Sequence, residues 1–156
     1  MDGLTHRALA ELTVEAALHE AVRAAGRLID DRAARHEATH VVTAWAAGVS
    51  VGRVTIEPSS AGGGSTALAL RPPSEVLALI ACSASLVAGT SVTDDELLLE
   101  LVGADGIAAS RARARLIVEH HVTAIETVAA SLIASRTLDA PELEVLRLQV
   151  MTGSSS

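Results

Sequence analysis

The segment His36-Glu37-Ala38-Thr39-His40 combines residue types and a spacing that suit metal-dependent hydrolysis. Residues four apart lie on the same face of an α-helix, so the imidazoles of His36 and His40 can reach one ion. A zinc ion bound there lowers the pKa of a water ligand toward ~7. Glu37 is placed to accept a proton from that water and later to donate it to a leaving amine. The pattern predicts a zinc site with Glu37 as the catalytic residue.

The surrounding segments resemble the peptidase domain of the FtsH family, which are ATP-dependent membrane metalloproteases. In that family a His-Glu-Ala-Gly-His helix precedes a strand similar to KVTIIPRG, and here residues 51–58 read VGRVTIEP. Residues 64–66 (GST) are similar to the family's LGxT turn, and residues 124–139 resemble its last helices and its ETLDGDE element. The resemblance covers about residues 32–146. It implies a zincin-like fold and peptidase activity.

Family resemblance also implies a third zinc ligand, an aspartate near the start of a later helix in a pattern like NDLERATEIA. The segment 93–102, TDDELLLELV, matches this pattern best. When Asp94 takes the place of that aspartate, Glu96 and Glu100 coincide with the family's two glutamates. A catalytic zinc takes three protein ligands and one water, so the expected site is one Zn²⁺ per chain held by His36, His40 and Asp94.

The apolar pattern of the same segment also favours Asp94 over its neighbour. Leu98, Leu101 and Val102 follow Asp94 at helical spacing, so they lie on the face that carries its carboxylate. Starting from Asp95 instead would bring Gly103 onto that face. Asp95 remains the alternative ligand.

The chain departs from the family in ways that restrict its expected activity. Thr39 stands where the family has glycine, and the chain has neither a Walker A loop with an ATPase domain nor the membrane anchor. We therefore expect a zinc-dependent endopeptidase that hydrolyses peptides or unstructured protein segments without ATP. The alternatives are a noncatalytic interaction or assembly module that retains the fold, and a dedicated regulatory protease that cleaves one partner. A homo-oligomer or a separate ATPase partner is left open.

The remaining elements predict a mainly α (α+β) fold, a helical zincin-like bundle with a small two- or three-stranded sheet at the active-site cleft. Helical spacing covers residues 14–35, 35–47, 75–88, 94–102 and 108–135, and strands are expected within 49–56 and 66–70. An exposed strand at 51–56 is expected to pair with substrate. Asp139 and Glu142 predict a capping box for a last helix that ends near Met151.

The predicted organisation is a flexible N-terminus (1–13), a single FtsH-peptidase-like domain (14–151) and a disordered tail (152–156). Apolar residues make up 49% of the 156, with no Phe, no Tyr and only Trp45, so the core must consist of small aliphatic side chains. Trp45 itself is expected in the core. His6, His19, His120 and His121 are interpreted as structural or surface residues rather than metal ligands.

Charge and cysteine usage limit the partners and the compartment. The net charge is −7 and no run of basic residues could follow a phosphate backbone, which argues against nucleic acid. Cys82 is the single cysteine, so no internal disulfide can form, and a cytoplasmic location is expected. Residues 76–93 carry no charge, yet their Ser, Thr and Gly content favours a buried core helix over a membrane span.

Overall fold

The protein consists of helices arranged around one small sheet. The computed structural model describes residues 2–59, 63–89 and 92–152, with the side chains of residues 2–13, 92 and 93 left out of the description. The helices are α1 (Asp2–Ala46), α2 (Ser74–Ser83), α3 (Ser85–Ala88), α4 (Val92–His120), α5 (Val122–Ser135) and α6 (Ala140–Met151). The strands are β1 (Val51–Thr55), β2 (Ser65–Leu68) and β3 (Thr137–Asp139). The predicted mainly helical fold with a small sheet is confirmed.

Helix α1 is one continuous helix that starts before the predicted boundary at residue 14. Its sequence is rich in Ala, Leu, Arg and Glu and contains no proline, so nothing in the backbone interrupts it. It ends at Ala46, close to the predicted end at residue 47, and is followed by Gly48, which has a φ of 77° that glycine adopts without steric cost. The flexibility expected for residues 1–13 stays a prediction, and of the expected disordered tail only Thr152 lies within the described residues.

The three strands form an antiparallel sheet in the order β2-β1-β3. Thr55 pairs with Ser65 on one side and with Thr137 on the other. The expectation that residues 51–56 form the exposed, substrate-pairing strand is therefore wrong, because β1 is hydrogen-bonded along both edges. The second edge of β1 is covered by β3, a strand of three residues that is too short to show the alternation of apolar and polar residues by which strands are predicted. Arg136, with a φ of 62°, turns the chain from α5 into it.

Two helix boundaries differ from the predicted ones. The predicted helices 94–102 and 108–135 were expected to be separate, but in the structure only Gly103, with a φ of 67° and a ψ of 175°, interrupts an otherwise helical α4. The expected helix 108–135 is broken at His121, and the two parts are bent by 79°. No glycine or proline marks that break. The bend lets α4 pack on α2 while α5 packs on α1, so tertiary packing determines it.

The buried residues form two clusters of aliphatic side chains. The larger lies where the C-terminal part of α1 meets β1, α5 and α6, and the smaller lies between α2 and α4. Trp45 and Cys82 are buried, as predicted, and burial raises the pKa of the Cys82 thiol to about 11. Among the described residues no single helix is long and apolar enough to cross a membrane; α4 and α5 meet that criterion only together, across their bend.

The predicted capping box at the start of α6 is confirmed. The Asp139 side chain accepts a hydrogen bond from a backbone N–H of the first turn, and the Asp139 N–H donates to Glu142 Oε2 at 2.9 Å. Since Asp139 also ends β3, the cap joins the sheet to the last helix.

We expect Asp139→Ala to lower the free energy of unfolding by about 1 kcal/mol, because a backbone N–H loses its acceptor. Urea denaturation followed by circular dichroism measures the change. Asp139→Asn is the control, since asparagine caps helices about as well as aspartate. Equal losses for both variants would instead assign the effect to the exposed ion pair with Arg53, whose Nε lies 3.6 Å from Asp139 Oδ1.

Candidate metal centre

Helix α1 delivers two imidazoles to one side of a cleft through its buried C-terminal part. Val41 and Val42 on the same stretch of helix are fully buried and fix its position in the larger core cluster. His36 and His40 are one turn apart, with ring centroids separated by 4.8 Å and planes at 88°. Thr39, at the position where FtsH peptidase domains have glycine, is buried, and its hydroxyl donates a hydrogen bond to Arg35 O at 2.6 Å. The added side chain therefore leaves no unsatisfied polar group.

Asp94, near the start of α4, completes a compact group of three possible ligand atoms. Asp94 Oδ2 lies 2.9 Å from His36 Nε2 and 3.1 Å from His40 Nε2. The two Nε2 atoms are 3.2 Å apart. A tetrahedral zinc with bonds of about 2.0–2.1 Å separates its ligand atoms by roughly 3.3 Å. The three atoms thus form a triangle of the size that one such ion requires, and this group could hold a metal ion.

The hydrogen bond from His40 to α2 fixes which of its ring nitrogens faces that triangle. His40 Nδ1 lies 2.8 Å from Ile80 O in α2. A carbonyl oxygen only accepts, so Nδ1 carries a proton, and the neutral ring then presents an unprotonated Nε2 to its neighbours. A metal-binding histidine uses the same arrangement, in which a backbone carbonyl fixes the tautomer and the ring orientation.

Burial and the mutual contacts of Asp94, His36 and His40 have opposite effects on the pKa values of Asp94 and His40. Burial disfavours the ionised Asp94 carboxylate, yet its hydrogen bonds with His36 and His40 outweigh that effect and hold its pKa below the ordinary value. Burial likewise works against a charged His40, but Asp94 and then Glu37 raise its pKa overall. The carboxylate is therefore stabilised by positive charge on the imidazole side, which protons or a metal cation can supply.

Glu37 lies beside this group and is only 5% exposed. Its Oε2 accepts a hydrogen bond from Thr66 Oγ1 in β2 at 2.7 Å. Burial raises the pKa of Glu37 above its ordinary value, and the nearby Asp94 charge acts in the same direction, while His40, Thr66 and His36 oppose it. A carboxylate with a raised pKa next to a metal-binding group is suited to accepting and returning a proton.

Gly64 allows strand β2 to approach Glu37 closely. A Cβ at this position would lie 2.9 Å from Glu37 Oε1 and 3.1 Å from Thr55 O, and the φ of 131° also favours glycine. The absence of a side chain at Gly64 therefore permits the Thr66–Glu37 hydrogen bond.

The group formed by His36, His40 and Asp94 opens into a cleft of about 690 Å³. Its walls come from α1, the β2 segment, α2 and the beginning of α4. They mix the four polar site residues with aliphatic side chains such as Ile29, Leu68, Leu77 and Leu97. A single cationic side chain, Arg32, lies among the described lining residues, and its Nε donates to Ala88 O at 2.8 Å.

The structure brings together all four residues predicted for the site, His36, Glu37, His40 and Asp94. The alternative ligand Asp95 is exposed to solvent. The apolar residues that favoured Asp94 behave as expected, since Leu98 is buried and Leu101 and Val102 pack against its cluster.

Three contributors to the site were missed by the sequence reasoning: the Thr66 hydroxyl, the Ile80 carbonyl and Arg32. In the sequence, residues 64–66 stand out only as a turn similar to that of FtsH peptidase domains. That similarity is the signal that could have pointed to Thr66. The Ile80 carbonyl carries no signal in the sequence, because every residue has one.

Other histidines lie outside the cleft. His19 and His120 are exposed and His121 is half-buried, while the side chain of His6 falls outside the described part of the chain. The rings of His120 and His121 pack edge to face at 4.8 Å. Within the described residues, none of these three lines the cleft or joins the group that could hold a metal.

Comparison with known proteins gives no match, either to the models of protein families or to curated proteins. The similarity to FtsH peptidase domains therefore depends on the residue patterns alone and stays a prediction.

We expect His36→Ala, His40→Ala and Asp94→Ala each to weaken binding of one divalent metal by roughly a hundredfold or more. Mutating even the residues that hydrogen-bond to metal ligands typically lowers metal affinity by about 10- to 100-fold, so losing a ligand should cost at least as much. Titration with Co²⁺, followed by its visible spectrum, measures both affinity and tetrahedral geometry. Asp95→Ala is the matched control and should bind like the wild type. Metal binding lost in Asp95→Ala but retained in Asp94→Ala would reverse the assignment.

We expect Gly64→Ala to displace Glu37 and to separate it from Thr66, since the added methyl meets both a carboxylate oxygen and a backbone carbonyl. The variant should keep its metal affinity but lose the activity that depends on Glu37. Gly63→Ala serves as the control, because a Cβ there meets nothing within 4 Å. Unchanged activity in Gly64→Ala would show that the close approach is not required.

Proposed function

We propose that the protein is a zinc-dependent peptidase that hydrolyses peptides or unstructured protein segments without ATP. The observation that carries this proposal is the meeting of Glu37 with His36, His40 and Asp94 in one cleft. Two imidazole nitrogens and one carboxylate oxygen are a common donor set for catalytic zinc, with a fourth position for water. The remote resemblance to FtsH peptidase domains supports the same function.

Zinc bound by these residues would supply a water of lowered pKa and would polarise the carbonyl of the scissile bond. The chain's own contribution is proton transfer by Glu37. Thr66 holds one of its carboxylate oxygens at 2.7 Å, which restricts the rotation of the side chain. Glu37 accepts the proton of the attacking water and donates it to the nitrogen of the leaving amine, so one group acts first as base and then as acid.

The sheet suggests how a substrate is oriented. β1 is the central strand, and its neighbour β2 is the edge strand that borders the cleft. Ser65, Thr66 and Leu68 of β2 line the cleft. An extended peptide can add to such a strand through backbone hydrogen bonds. This mode requires an unfolded segment, so the proposed substrates are peptides and unstructured regions.

The sequence of 156 residues carries no ATP-binding motif of the Walker A type. All twelve basic residues counted as lysine or arginine are arginines. A phosphate-binding loop of the Walker A type needs a lysine, so this chain contains none. A separate ATPase partner and the cytoplasmic location remain predictions.

We expect Glu37→Gln to retain bound metal and fold but to reduce hydrolysis of unfolded casein by about 10²–10⁴-fold, since an amide cannot accept the proton. Release of fluorescent peptides from labelled casein measures the rate. Glu96→Gln is the matched control, because Glu96 is an exposed glutamate on α4.

The outcomes distinguish the proposed peptidase from its rivals. Turnover by Glu37→Gln comparable to that of the wild type would remove Glu37 from the mechanism. A zinc-loaded wild-type protein that cleaves neither casein nor a peptide library would favour a noncatalytic module or a protease dedicated to one partner.

A further inference from the structure

The middle part of α1 carries large apolar side chains that are mostly exposed, and one of them, Ile29, also lines the cleft. We call residues 14–31 the α1 arm. Its large apolar side chains are each between 62% and 70% exposed: Val14, Leu18, Val22, Leu28 and Ile29. Monomeric proteins rarely expose so many neighbouring aliphatic side chains without a binding partner.

These residues lie on one side of the helix. At 100° per residue, the five large side chains together with Ala17, Ala21 and Ala25 fall within an arc of roughly 140°. We call this face the apolar stripe. The opposite face carries charges that are already paired, since Glu20 binds both Arg23 and Arg27 at 2.9 Å. The α1 arm is therefore amphipathic, with a polar face suited to solvent and an apolar face that is not.

We propose that the apolar stripe is a self-association surface that packs against the same stripe of a second copy of the chain. This inference does not depend on the peptidase proposal. Burying the five large side chains removes roughly 500 Å² from water per copy, which is on the order of 1,000 Å² for a pair and reaches the lower limit for a specific interface.

The spacing within the stripe identifies a helix as the partner. Val14, Leu18, Ala21, Ala25 and Leu28 follow one another at alternating intervals of four and three, which is the seam of a two-helix coiled coil. The alanines in the middle let two helix backbones approach closely. Among the described helices, only α1 combines this seam with so continuous an exposed apolar face, so a second α1 arm is the complementary surface on this chain.

Charge argues against a membrane surface as the occupant. Residues 14–31 contain four acidic residues, Glu15, Glu20, Asp30 and Asp31, against two arginines. Helices that lie on anionic membranes carry lysine or arginine along the polar face. The α1 arm lacks that excess of positive charge.

Sedimentation velocity and light scattering of the full chain test the proposal. The wild type should have twice the chain mass of 16.0 kDa. Placing two unpaired charges on the stripe of each copy, with Leu18→Glu and Val22→Glu combined, should weaken association by about a hundredfold or more. The matched control combines Ala16→Glu and His19→Glu, which add the same charge on the opposite face and should leave the dimer intact.

Cross-linking keeps the test valid if the glutamate variant misfolds. In a Cys82→Ser background, Ala21→Cys should be cross-linked between copies by a short bismaleimide, whereas Ala16→Cys should not. A wild-type monomer at high concentration, or a dimer unaffected by the double glutamate change, would overturn the proposal. So would a monomer that binds phosphatidylcholine–phosphatidylglycerol vesicles through the same side chains.

Discussion

The site depends on one electrostatic constraint: a single carboxylate oxygen lies within about 3 Å of two imidazole nitrogens in a poorly solvated place. Asp94 Oδ2 is 2.9 Å and 3.1 Å from the Nε2 atoms of His36 and His40. Three electron-pair donors at such distances repel one another unless a proton or a cation lies between them. The elements that meet here, α1 and the start of α4, are therefore held together by packing elsewhere and by positive charge at their contact.

The rest of the fold holds these donors in position. Helix α2 packs between α1 and α4 and offers the Ile80 carbonyl to His40. Strand β2 brings Thr66 to Glu37, and Gly64 makes that approach sterically possible. β2 is in turn paired with β1, which β3 supports from the other side. His40 and Glu37 are thus fixed by different elements, α2 and β2, and small aliphatic side chains let those elements approach closely.

Local periodicity together with the resemblance to FtsH peptidase domains predicted the residues that meet, but not the path of the chain between them. The one-turn spacing of His36 and His40 and the apolar residues after Asp94 both reflect helix geometry, which the sequence records directly. No local sequence pattern predicts the break at His121 or the strand at residues 137–139. They arise because α5 packs on α1, and the strand that follows then reaches β1. The central position of β1 followed from the same packing.

The retention of two acidic groups in this cleft has a thermodynamic consequence. Glu37 and Asp94 are close enough for the Asp94 charge to raise the pKa of Glu37, and burial disfavours ionisation of both. For Glu37, whose pKa is raised overall, this costs folding free energy at neutral pH, whereas for Asp94 the contacts with His36 and His40 more than offset burial and lower the pKa. A cation bound by His36, His40 and Asp94 would offset this cost, because a ligand that binds only the folded state stabilises it. The same cation would neutralise the charge of Asp94 that opposes ionisation of Glu37. Metal binding, stability and the availability of Glu37 as a base are thereby linked through one carboxylate oxygen.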